Sequence, residues 1–293
     1  MTRTTPPPPF DVASLWPEAA GLRRATVRLH PRCDPTVGPD QSSMGGPIRW
    51  PRDVPWPECD LPHEDYSGFS GARPARPDPG TRYVPILQLL ESDVPELPFR
   101  DGTDVFQLLW CPNDHTQAFS MLCRAVWWAR EQLLDATAPP APTVARDDYV
   151  PRPCSVHPEP VDEYPGFEDL PDDLQSRVGA WEDGQESTPY QSALSTAPGS
   201  KVGGHPQWFQ GPEWPTCPAG HEMEHLLTIS DHEFDGGTWQ RWLPIEETGM
   251  WEWPTDRQLG IQEPTHLSFG MASIYVFLCR ACPDWPIDTV YQR

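Results

Sequence analysis

Residues 45–63 read GGPIRWPRDVPWPECDLPH, and residues 203–221 read GGHPQWFQGPEWPTCPAGH. The two stretches carry the same uncommon residues at the same offsets. Gly45-Gly46, Trp50, Trp56-Pro57, Cys59 and His63 in the first match Gly203-Gly204, Trp208, Trp214-Pro215, Cys217 and His221 in the second. Such an alignment reads as an internal duplication, and each copy presents a Cys-x3-His pair. The paired glycines before each tryptophan fit a turn, or a close approach of the backbone to a ligand.

Working outward, each half adds a second ligand pair. Cys111 and His115 follow the apolar run 106–110, and Cys279 and Cys282 follow the apolar run 274–278. Two tight pairs from two chain segments are what a tetrahedral zinc site takes, with thiolate and imidazole as ligands. The expected sets are Cys217, His221, Cys279 and Cys282 in the second half, and Cys59, His63, Cys111 and His115 in the first. Four protein ligands leave no open position, so such zinc is structural, one or two ions per chain. Cys33, Cys123 and Cys154 are left over and read as core or incidental residues.

Composition bounds the rest. A chain of 293 residues is long enough for two fused units with a real core. It holds 14 tryptophans and 40 prolines. That apolar payload argues for folding, while the prolines argue against long helices. The expected fold is α+β, predominantly β: two β-rich lobes from an internal duplication, joined by proline-rich loops. Its divisions are a loose leader (1–22), a first repeat (23–135), an extended acidic and proline-rich connector (136–200) that partly belongs to the second repeat, and that second repeat (201–293).

Along the chain, Val27 and Leu29 alternate with Arg28 and His30, as in a half-buried strand. Residues 64–82 read as an exposed loop. Residues 83–90, 104–110, 226–230 and 273–278 read as strands. Residues 118–134 have helical composition, although Trp127-Trp128 also suits an edge strand. A short helix is expected near 170–177 in the connector.

The formal net charge is −22, which repels phosphate backbones, so direct nucleic-acid binding is not expected. No apolar run reaches the length of a membrane span, and the first ten residues lack an apolar signal core. The chain reads as cytoplasmic. No Gly-x-Ser-x-Gly elbow, phosphate loop or dinucleotide fingerprint occurs. His221-Glu222-Met223-Glu224-His225 resembles a zinc-protease helix motif, but the preceding Cys-Pro-x-Gly argues for a turn.

The residues also resemble a known family. Lys201-Val-Gly-Gly-His-Pro-x-Trp208, Trp214-Pro-x-Cys217, Met223-x-x-Leu-Leu and Ile274-Tyr-Val-Phe-Leu-Cys279 are similar to the YwqG-like family. They are similar too to its eukaryotic relatives, the programmed cell death protein two group and the related ribosome-maturation factors. In the first half, Pro85-x-Leu-Gln-Leu89 and Leu97-Pro98 resemble the same pattern. The resemblance implies a β-rich, duplicated fold in a chiefly uncharacterised bacterial family. For the eukaryotic relatives it implies escort of a ribosomal protein during small-subunit assembly. Relatives often carry Cys-x2-Cys where this chain has Cys217-x3-His221, and no catalytic residues transfer. The function expected is a non-enzymatic, zinc-stabilised module for a protein partner, basic in character. The alternative is an enzyme or RNA-processing factor with its site in the cleft between the lobes.

Overall fold

The structure, a computed structural model, describes residues 2–64, 80–115, 121–141, 146–186 and 189–293. Strands dominate, with short helices between them. Two six-stranded antiparallel sheets form the body. Their strands in chain order are β1 (Arg24–Arg28), β2 (Arg32–Cys33), β3 (Ser43–Met44), β4 (Val84–Leu90), β5 (Val105–Trp110) and β6 (Cys123–Trp128). There follow β7 (Cys154–Ser155), β8 (Glu159–Glu163), β9 (Lys201–Gly203), β10 (Glu224–Ser230), β11 (Ser273–Leu278) and β12 (Ile287–Gln292).

One sheet runs β6-β5-β4-β3-β7-β2 and the other β12-β11-β10-β9-β1-β8. Position by position the two correspond. In each, the strand carrying the first repeated glycine or ending just before it (β9, β3) pairs with a seven-residue strand (β10, β4). That strand pairs with the run leading into the second cysteine of each half. Even the irregularities correspond: a bulge falls between Pro85 and Leu87 in β4 and between His225 and Leu227 in β10.

Both faces of the central strands are buried, which is why they read as continuous apolar runs rather than alternating ones. Phe106, Leu108 and Trp110 of β5 and Ile274, Val276 and Leu278 of β11 enter one core that draws on both sheets. The opposite faces are capped by the tryptophan stretches. Val105 and Leu109 pack with Trp50 and Trp56, and Tyr275 and Phe277 with Trp208 and Trp214. Each repeated stretch thus roofs the outer face of its own sheet.

The halves also exchange strands. β1 lies in the sheet built from the second half, and β7, from the middle of the chain, lies in the sheet of the first. One antiparallel register runs from Arg24↔Glu163 through Arg28↔Glu159 to Cys33↔Cys154, crossing from one sheet to the other. The lobes are interlocked through this ribbon and share their core.

Gly45 and Gly204 sit where other chain segments come close. A Cβ on Gly45 would stand 2.6 Å from the Arg152 carbonyl oxygen, and one on Gly204 would stand 2.1 Å from a Glu163 carboxylate oxygen. Both have positive φ as well. Gly204 closes on Thr26 and Glu163 of the exchanged ribbon, and Gly45 on the segment that leads into β7.

Three expectations are corrected. The leader is not loose: Val12, Trp16 and Ala19 are buried against Leu170, Leu174, Val178 and Tyr190. The β1 region is not half-exposed, since Arg28 and His30 are each 1% exposed. Arg28 donates to the Thr5 hydroxyl and the Trp242 carbonyl, and His30 pairs with Glu159. Distant segments cover that face, and the local pattern carries no sign of them. Finally, residues 123–128 form edge strand β6, followed by a short 3₁₀ turn (Arg130–Leu133), not a helix. Pairing with β5 overrides local composition there. Residues 118–120 of that stretch, and most of the expected 64–82 loop, lie outside the described residues. The connector helix is present and longer than expected, Asp172–Glu182.

Candidate functional site

The eight expected ligands come together as two clusters. Within each, one ligand atom per residue lies within 4.8 Å of the others: Cys59, His63, Cys111 and His115, and Cys217, His221, Cys279 and Cys282. Ligands bonded tetrahedrally to one zinc stand roughly 3.3–3.8 Å apart.

In the second cluster the turn 217–221 delivers the first pair. Gly220 N–H donates to the Cys217 carbonyl at 2.7 Å, and Cys217 N–H to the His221 carbonyl at 2.9 Å. Gly220 has φ +83°, which suits a residue without a Cβ. This is the turn expected from Cys-Pro-x-Gly, and it rules out the protease-like helix. Cys279 follows β11 directly, and its N–H donates to the Pro286 carbonyl. His221 Nδ1 lies 3.5 Å from Cys217 Sγ, 3.7 Å from Cys279 Sγ and 3.5 Å from Cys282 Sγ. Cys217 Sγ is 3.7 Å from Cys282 Sγ.

Desolvation opposes ionisation of Cys217, but hydrogen bonds from the backbone N–H groups of His221 and Ala219 outweigh it and bring the thiol down to about 6. Cys282 is pushed up to about 12 by desolvation and its cysteine neighbours. One ready thiolate beside two further sulfurs suits capture of a cation, which then draws protons from the rest.

The first cluster is built from short ladders. His63 and His115 are directly opposite in one antiparallel pair, and Cys59 faces Thr81 in another. Cys111 follows β5 as Cys279 follows β11. Cys59 Sγ lies 3.3 Å from His115 Nε2, Cys111 Sγ lies 3.3 Å from His63 Nε2, and the two rings meet edge-on at 4.9 Å. Burial, with the neighbouring His63, lowers His115 to about 4, so its ring is neutral and its nitrogen lone pair is free to ligate. Burial pushes the Cys111 thiol upward. Deprotonation there needs the cation itself.

In the second half Trp208 and Trp214 pack with Cys217, Cys279 and Cys282, whereas Trp50 and Trp56 in the first pack with Val105 and Leu109 of their sheet. Trp50 and Trp56 meet edge-on at 4.8 Å, and Trp208 and Trp214 at 5.6 Å. The first pair donates its indole N–H groups to the carbonyls of Val54 and Tyr83. The second pair donates both to the carboxylate of Asp169.

Neither cluster includes a carboxylate among the described residues. Chemically, each can saturate a tetrahedral ion and has no position left for substrate.

Cys33, Cys123 and Cys154 join neither cluster. Sequence reading also missed a buried ion pair. Lys201, the only lysine of the chain, is 0% exposed, and its Nζ contacts both oxygens of Glu163 at 2.8 and 2.9 Å. Backbone N–H groups of Ala197 and His205 complete the carboxylate's shell. The lone lysine in so acidic a chain was the available signal. Its partner, 38 positions earlier, was not legible.

No helix among the described residues is long and apolar enough to cross a membrane. No protein-family model matches the chain, and no curated protein matches it.

Proposed function

We propose that the chain is a non-enzymatic binding module whose two halves are each pinned by one structural zinc ion. The observation that carries this is the convergence of Cys59, His63, Cys111 and His115, and of Cys217, His221, Cys279 and Cys282, into two closed four-ligand sets. A catalytic zinc keeps a position for water or substrate, whereas a full protein shell contributes to folding instead. The matching sheet orders and bulges support descent of the two halves from one duplicated unit, and the sequence resemblance to the YwqG-like family accords with that reading. The charge of −22 suits a basic protein client reached by electrostatic steering, in a soluble cytoplasmic setting.

Elemental analysis of the purified protein tests the reading. Two zinc ions per chain are expected, with one lost in Cys279→Ser and the other in Cys111→Ser. A metal-free protein that is unaffected by added zinc overturns it. Capture on a column of the immobilised protein, eluted by salt, tests the client: a basic protein should elute between about 0.1 and 0.5 M salt, where exposed charge pairs are screened.

A further inference from the structure

Two of the three cysteines that join neither metal cluster stand together. Cys33 and Cys154 are direct partners in the β2–β7 ladder. Their neighbours fix the kind of pairing. Asp34 N–H donates to the Pro153 carbonyl at 2.9 Å, so the pair one step along is hydrogen-bonded. In an antiparallel ladder the two kinds of pair alternate, so Cys33 and Cys154 occupy a non-hydrogen-bonded position. Cα atoms at such a position stand about 4.5 Å apart with both side chains on one face, within the reach of a disulfide.

We propose that Cys33 and Cys154 form a reversible, redox-controlled disulfide that ties the exchanged ribbon across β2 and β7. Exposure sets the order of events. Cys33 is exposed on an edge strand, while Cys154 is buried, its thiol donating to the Pro264 carbonyl at 3.3 Å. A small-molecule disulfide such as oxidised glutathione is the co-reactant. The Cys33 thiolate attacks one of its sulfurs, forming a mixed disulfide and releasing one thiolate. Cys154 then gives its proton to solvent, turns from the Pro264 carbonyl, and its sulfur attacks that of Cys33. The second small thiolate leaves. Two protein thiols and one small disulfide become one protein disulfide and two small thiols.

Burial holds the Cys154 thiol up at about 12, so the second step is the slower one and the mixed disulfide builds up first. The closed loop, residues 33–154, contains Cys59, His63, Cys111 and His115, the whole first cluster. Oxidation therefore restrains the half that holds that cluster, whether or not the cluster holds zinc.

The test uses the full-length protein in oxidised and reduced glutathione, followed by alkylation, proteolysis and mass spectrometry. A linked peptide containing Cys33 and Cys154 is expected, preceded by a glutathione adduct on Cys33. Dithiothreitol should remove the link. Oxidation should raise the thermal midpoint by about 5–10 °C, and Cys33→Ser should abolish that shift. Cys33→Ser changes an exposed residue, so it tests the link without risk to the core. Cys33 recovered only as its adduct, or joined to Cys33 of a second chain, overturns the proposal. So does Cys154 remaining alkylatable, after denaturation, in fully oxidised protein.

Discussion

The two candidate metal clusters sit at equivalent places yet are built differently. The second is a Cys3His set formed by turns, with His221 exposed and Cys282 half-buried. The first is a Cys2His2 set formed by strand ladders, with Cys59, Cys111 and His115 buried. The histidines even present different nitrogens: Nδ1 for His221, Nε2 for His63 and His115. A turn aims its side chains through its own backbone, so five residues suffice to position Cys217 and His221. A ladder aims them through a partner strand, so the first cluster depends on pairing made elsewhere. One spacing in sequence therefore serves two architectures, and it is the strand-end cysteines, Cys111 and Cys279, that hold the same position in both.

The largest effect should come from those strand-end cysteines. Cys111→Ser and Cys279→Ser should each lose one zinc and destabilise the chain by more than about 4 kcal/mol, because a ligand is removed from a buried, charged site. If both variants retain two zinc ions and normal denaturant midpoints, the equivalence of the clusters fails. Exposure should then separate them in time. An excess of chelator should strip zinc in two phases, the fast one absent in Cys279→Ser and the slow one absent in Cys111→Ser. A single phase in the native protein would break the contrast.

The sheets differ at another matched position. Two residues before the first repeated glycine, the second half has buried Lys201 and the first has buried Ser43. Only Lys201 answers a charge, that of Glu163. Lys201→Met should cost about 3–5 kcal/mol by stranding that carboxylate. Lys201→Met with Glu163→Met should recover part of the loss. Urea unfolding measures both, and a neutral single variant would show that the pair is not needed.

Acid should act unevenly as well. Burial, aided by nearby arginines, lowers His30 and His205 to about 3 each. Both then bind protons more readily unfolded, near the ordinary histidine value of about 6.5, than folded. Stability is therefore full above that value and falls as pH drops from about 6.5 toward 3, by up to ~1.4 kcal/mol per pH unit per group. His30→Gln with His205→Gln should flatten the slope in that window, measured by thermal midpoint against pH. An unchanged slope would count against these two groups as its source.

The smallest effect concerns the tryptophan roofs. Asp169→Ala should cost about 1–3 kcal/mol and shift the fluorescence of Trp208 and Trp214, which lose their shared acceptor. The Trp50 and Trp56 roof uses backbone acceptors, so no side-chain substitution can remove them in the same way. No spectral change in Asp169→Ala would erase this difference between the halves.

What the sequence determined by itself was local or repeated. The ligand sets follow from spacing: Cys-x3-His and Cys-x2-Cys keep two donors within a few residues of each other, and a repeat at equal offsets makes coincidence implausible. The strands β4, β5, β10 and β11 follow from apolar runs, because strands buried on both faces must be apolar on both. What only the tertiary structure decided was long-range pairing. Nothing local tells Arg24–Arg28 to join the sheet of the other half, or Cys33 to face Cys154, since register is set by partners more than a hundred residues away. Nothing local marks Arg28, His30 and Lys201 as buried either. A charged side chain reads as exposed until a counter-charge and a covering segment arrive, and here Glu159, Glu163, Thr5 and Trp242 come from distant parts of the chain. The 123–128 stretch became a strand for the same reason: β5 offered it an edge, and a complete ladder of hydrogen bonds outweighs a modest helical preference.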